Sequence, residues 1–165
     1  MISFLLKTIL VLLIIMVVIG FWRTWSIQHS DRAKMFVGGS VPNPNLDGFY
    51  DGTVSGMQYA WLGKKFDAVN SKGVNVFDDG FNSRNERYPF ITSTGRGLLD
   101  KSTDVLKIDY NIKGNPFWLR LFLDEIVQVK PNEYLGKMEL RLIPGYSFAL
   151  LYFELKQPTH ERDGF

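Results

Sequence analysis

Histidine, cysteine and paired carboxylates are the residues with which a small domain most often does chemistry, and their placement here is restrictive. The two histidines, His29 and His160, stand outside the strand-rich body, so neither a His-based triad nor a His-rich zinc site is expected there. The chain has no cysteine, which removes thiol nucleophiles, disulfides and Cys-ligated metals and leaves the redox compartment open. Carboxylates pair up in sequence at Asp78-Asp79 and Asp124-Glu125. Neighbours on a strand point to opposite faces, so neither pair forms a dyad from one strand. Asp78-Asp79 reads as a solvated turn. Asp124-Glu125 interrupts a very apolar stretch and reads as a bend or bulge with both acids exposed. The sharper alternative is an acid facing inward, which would need a partner such as Arg120 or Arg141. Gly95-Arg96-Gly97 lacks the spacing and the Lys-Ser/Thr of a phosphate loop and reads as a tight turn. Lys64-Lys65 reads as a solvated hairpin, the alternative being a contact with anionic lipid headgroups. No catalytic constellation, metal or cofactor is expected, and an enzyme is the least supported class.

Binding residues are better represented. Asn115-Pro116-Phe117-Trp118-Leu119-Arg120 concentrates a proline corner, two aromatics and a cation. If this is a strand, Trp118 and Arg120 share one face and offer an aromatic wall beside a charge, although core packing is the plainer role for a large aromatic. The candidate ligand-binding residues are therefore Arg120, Trp118, Arg141, Tyr50, Trp61 and Tyr110, with an arginine fixing the polar end of a largely apolar molecule.

The elements that must position them are strands. From Asp104 to Lys156, short apolar runs are broken at Gly114-Asn115-Pro116, Pro131-Asn132 and Pro144-Gly145, the punctuation of an antiparallel sheet. Leu106, Ile108, Tyr110 and Ile112 alternate with Lys107, Asp109 and Asn111. Tyr134, Met138, Leu140 and Leu142 fall on a period of two against Lys137, Glu139 and Arg141, which predicts one buried and one wet face. Tyr146 to Lys156 is apolar on both faces and belongs inside the structure. Upstream, Asp47 to Gly56 reads as a glycine-interrupted first strand, and Trp61–Phe66 with Gly73–Phe77 as a hairpin. Asp78 to Arg87 reads as a loop, and Tyr88–Ser93 as a short strand. About eight strands with short turns give an all-β domain, and closure into a single antiparallel barrel removes the edges that a sandwich would leave. The stretches Gly48-Phe49-Tyr50-Asp51-Gly52 and Glu133-Tyr134-Leu135-Gly136-Lys137 resemble lipocalin-like small β-barrel domains of uncharacterised bacterial proteins. That resemblance spans Leu46 to Lys156. It implies a lipocalin-like barrel, with Tyr50 where lipocalins carry the Trp of Gly-x-Trp and Arg120 or Arg141 nominated for their floor arginine.

The N-terminus is of a different kind. Thr8 to Trp22 carries no charge, and with Ile2–Leu6 added and Lys7 snorkelling the apolar span reaches about 20 residues, enough to cross a bilayer core. Phe21, Trp22 and Trp25 match an interfacial aromatic belt, and no small-residue cleavage site follows. The expected organisation is a transmembrane anchor over 1–25, a flexible tether over 26–45, a self-contained barrel over 46–157 and a polar tail over 158–165. Cations on the two sides of the span nearly balance; the short N-tail places the body on the non-cytoplasmic side of a single-pass membrane protein. The composition, 45% apolar and 15% aromatic, supplies a full core, and a net charge of +2 without basic runs argues against nucleic acid as a partner. The expected partners are the lipid bilayer and a hydrophobic small molecule. The expected function is a membrane-anchored barrel that binds an apolar or amphipathic small molecule. The alternative is a membrane-tethered structural or protein-interaction domain with a filled core and no ligand.

Overall fold

A computed structural model of the chain describes residues 2–54, 60–80 and 83–158. The expected polar tail, His160 included, and Ser55-Gly56 of the expected first strand lie outside or mostly outside these residues.

The apolar N-terminal run forms helix α1 (Ile2–Gln28), and a second helix, α2 (Asp31–Val37), starts at Ser30, whose hydroxyl accepts a hydrogen bond from Ala33 N. From Phe4 to Ile19 every side chain of α1 is exposed, and at Gly20 the helix packs against the ring of Phe148. Eight antiparallel strands follow: β1 (Gly48–Val54), β2 (Trp61–Asp67), β3 (Lys72–Asp78), β4 (Arg84–Arg96), β5 (Asp104–Asp109), β6 (Phe122–Lys130), β7 (Glu133–Ile143) and β8 (Tyr146–Lys156). They pair in sequence order and close into a barrel where β1 meets β8. Pro131-Asn132 and Pro144-Gly145 make the tight hairpins their composition predicts. In each, proline is followed by a residue in the left-handed region, Asn132 at φ 60° and Gly145 at φ 79°. Three local expectations change: β4 begins at Arg84, it runs on through Gly95 and Arg96 where a tight turn was expected, and Pro116 starts a single 3-10 turn (Leu119–Leu121), not a strand.

Up-and-down topology puts the β1–β2, β3–β4, β5–β6 and β7–β8 connections at one end of the barrel, here the upper end. The lower interior is filled by Leu46, Tyr50, Phe66, Phe90, Tyr134 and Leu155, with the rings meeting edge to face. A second apolar cluster lies outside the barrel wall. There Ile27, Ala33 and Phe36 of the helices cover Val127, Leu135, Ala149 and Tyr152. Residues 26–45 are thus not a free tether. They lie on β6–β8, and Ser40 bridges to Gln128 through two backbone hydrogen bonds.

This cover overturns the expected wet face of β7, since Lys137 and Glu139 are buried beneath it. It also solves an edge problem. Among the described residues the pairing of β1 with β8 runs only to Val54↔Phe153, and none of their strands flanks the upper half of β8 on that side. There α1 takes over: Thr24 Oγ1 accepts from Ala149 N at 3.1 Å and Arg23 Nε donates to Leu150 O at 3.1 Å. Leu150 is the extra residue of a bulge, between Leu151↔Met138 and Ala149↔Glu139.

Candidate ligand cavity

Above the packed floor the barrel interior is hollow. A cavity of about 300 Å³ is lined mainly by apolar groups of Val54, Trp61, Phe77, Leu119, Leu151 and Phe153, with Tyr88 and Met138 completing the wall. A Cβ on Gly136 would stand 2.1 Å from Phe153, so glycine there leaves room for the tip of that ring against the β7 backbone.

The base of the cavity is polar, fully buried and internally bonded. Lys64 Nζ donates to Asn75 Oδ1 at 2.9 Å, Tyr110 Oη at 2.5 Å and Asp124 Oδ2 at 2.9 Å, which uses all three of its N–H groups. Trp61 Nε1 also donates to Asn75 Oδ1, and Asn75 Nδ2 donates to Tyr88 O. Four rings, of Trp61, Phe90, Tyr110 and Phe153, surround the ammonium at 5.2 to 5.5 Å. Burial pulls the Lys64 pKa down against the opposing pull of Asp124. Burial and then the Asp124 charge push the Tyr110 phenol well above its usual range, so it stays protonated and able to donate. Asp124 Oδ1 has no hydrogen-bond partner among the described residues.

The expected site residues separate in this geometry. Trp61 and Tyr110 line the cavity; Tyr50 lies lower, packed between Phe66 and Tyr134. Trp118 is half-exposed at the upper rim and meets Tyr88 edge to face. It shares no strand face with Arg120, because both belong to the 3-10 region, and Arg120 Nε donates back to Asn115 O. Arg141 is outside the barrel, held by both carboxylate oxygens of Asp109 at 2.9 and 2.6 Å and by two backbone carbonyls. The charged partner of Asp124 is Lys64 and neither arginine. The expectation of two exposed acids at Asp124-Glu125 is overturned, both being fully buried on opposite sides of the wall.

Glu125 belongs to a second ionic cluster, under the helices and the 97–103 loop. Lys137 Nζ lies 2.5 Å from Asp100 Oδ2, 2.9 Å from Glu139 Oε1 and 3.3 Å from Glu125 Oε2. Leu98 N donates to Glu125 Oε1 at 2.6 Å, and Ser147 Oγ donates to Glu139 Oε2. Burial, followed by repulsion from Glu139, pushes the Glu125 carboxyl up to about 7. Burial works against the Lys137 charge, but the surrounding carboxylates outweigh it and hold the pKa above its ordinary value. Among the described residues no group of three or more His, Asp or Glu side chains is placed to hold a metal ion. Comparison with protein-family models, curated proteins and solved structures gave no match for this chain.

Proposed function

We propose that this chain is a membrane-anchored binding module whose lipocalin-like barrel takes an apolar or amphipathic small molecule into its upper cavity. The observation that carries the reading is the cavity itself: about 300 Å³, at the lower end of the range for ligand pockets, walled by apolar side chains over a buried polar base. The chemistry of that base selects the head group. Every N–H of Lys64 is engaged and its charge is matched by Asp124, so an anionic head has no cation to meet. Beside that neutralised pair the base carries the uncharged polar groups of Asn75 and Tyr110, which favours an uncharged polar head. Alcohol-headed lipids therefore fit better than fatty acids.

Decanol and decanoate test this on the full chain in nanodiscs, read by saturable quenching or thermal shift. Decanol should bind at least tenfold more tightly than decanoate, and Met138→Trp, which fills the cavity, should abolish binding while the fold persists. Absence of saturable binding by either probe would favour the filled-core interaction domain, a reading supported by the close packing of the lower interior.

A further inference from the structure

The cavity and the free half of α1 lie at the same end of the molecule. α1 runs alongside β8 in the same direction, with Phe21 against Tyr146 and Phe148 at 5.2 Å, then Thr24 at Ala149 and Ile27 in the cluster with Tyr152. Its earlier residues therefore project beyond the upper end of the barrel. The free stretch from Phe4 to Ile19 is about 24 Å long at 1.5 Å per residue, and with Ile2 and Ser3 before it the helix reaches about 27 Å, close to the hydrocarbon thickness of a bilayer. Placing that stretch in a bilayer puts Trp22 and Trp25, both exposed, at the near interface. The level of Phe21 is also the level of the β7–β8 turn.

That end of the barrel carries an apolar rim. Leu142 and Ile143 are exposed at the end of β7, and Phe117 (81% exposed), Trp118 and Leu121 are exposed on the β5–β6 connection. Arg141 binds the carbonyls of Arg120 and Phe122, so the two groups are adjacent. Water is a poor covering for five large apolar side chains in two neighbouring connections. The fixing of α1 along the β8 edge by Thr24 and Arg23 holds this rim toward whatever surface α1 enters.

We propose that the upper rim of the barrel, through Phe117, Trp118, Leu121, Leu142 and Ile143, seats on the lipid bilayer that α1 enters, so that the cavity opens onto the leaflet and takes its ligand from it. This rests on the membrane-anchored binding reading above. It adds a surface, a partner and a route.

The chain has no cysteine, so single cysteines carry a fluorophore without background. Full-length Phe117→Cys, Leu142→Cys, Ile15→Cys and Val69→Cys proteins are labelled and placed in phosphatidylcholine–phosphatidylglycerol vesicles with brominated acyl chains. Val69, 92% exposed on the β2–β3 connection, marks the opposite end. The expected result is strong quenching at 15, quenching at 117 and 142 several-fold above that at 69, and slower uptake of decanol from vesicles when Phe117→Asp and Leu142→Asp are combined, with decanol affinity in micelles unchanged. Quenching at 15 with 117 and 142 no higher than 69 overturns the docking and leaves the anchor standing. No quenching at 15 overturns both. Intermolecular disulfides formed by the unlabelled Phe117→Cys protein under a mild oxidant, with no lipid quenching of the labelled one, assign the rim to a second copy and overturn the proposal. If the quenching pattern appears but decanol never binds, the binding reading fails and the docked surface survives, while uptake unaffected by the aspartates removes the leaflet route.

Discussion

Inside the barrel, Lys64 and Asp124 form an ion pair whose two side chains are 3% and 0% exposed. Such a pair adds little net stability, because desolvation cancels most of the attraction, yet breaking it strands a charge. Asp124→Ala should therefore cost about 3 to 5 kcal/mol. The double change Lys64→Met with Asp124→Leu should be close to neutral in denaturant melts while removing selectivity for alcohols. If the double variant is as unstable as the single one, the pair is not an isolated ionic unit. The outer cluster gives a pH signature. Glu125 has a folded pKa of about 7 against a usual 4.5, so the native state holds its proton more tightly than the unfolded chain. The associated stability is complete below about pH 4.5 and is lost as pH rises through 7, by at most about 3 kcal/mol. The groups facing it are Glu139, Lys137 and Asp100, with Lys107 opposite in register on β5. Glu125→Gln keeps an acceptor for Leu98 N and should flatten the decline between pH 5 and 8. An equally steep decline in that variant would place the titration elsewhere.

At the scale of elements, strand periodicity made β5 and β7 readable from sequence, because a half-buried strand writes its two faces into alternate residues, and β8 was readable as an apolar run bounded by a proline turn. The same rule contained the cavity base, at positions treated as adjacent pairs. Lys64 is two residues from Phe66, Asn75 two from Phe77 and Asp124 two from Ile126, so each polar residue stands at the apolar parity of its own strand. Lys64-Lys65 and Asp124-Glu125 look like charged doublets, but each is one inward and one outward residue. The outer burial of Lys137 and Glu139 had no such mark, since a strand cannot record that a helix from elsewhere will cover it. Gly136 tests how tightly the elements fit. Gly136→Ala places a methyl into the Phe153 ring and should cost about 1 to 3 kcal/mol in denaturant unfolding. A cost under a few tenths would show that Phe153 moves freely into the cavity.

For the whole molecule, the division into anchor, tether and independent barrel gives way to a different partition. The stretch of α1 that is exposed all round ends at Ile19; from Gly20 the helix turns one face to the barrel, and α1, α2 and the strands pack together. Ile27, Ala33 and Phe36 close the outer cluster, and Lys137 Nζ lies 4.5 Å from the centre of the Phe36 ring. A chain starting at Leu46 would lose that cover. It would bare Val127, Leu135, Ala149 and Tyr152, expose the upper edge of β8 and admit water to the Lys137 cluster. Each large apolar side chain lost from such a contact removes about 1.5 to 3 kcal/mol, so losing Ile27 and Phe36 alone takes a large share of an ordinary domain's stability. A chain starting at Gly20 keeps these contacts and discards only the projecting span. Thermal melts and dye binding on the two shortened chains should therefore diverge: the Gly20 chain melts cooperatively, and the Leu46 chain melts at least 10 °C lower or aggregates with exposed apolar surface. Equal melting temperatures would restore the independent barrel and reduce the helices to an attachment.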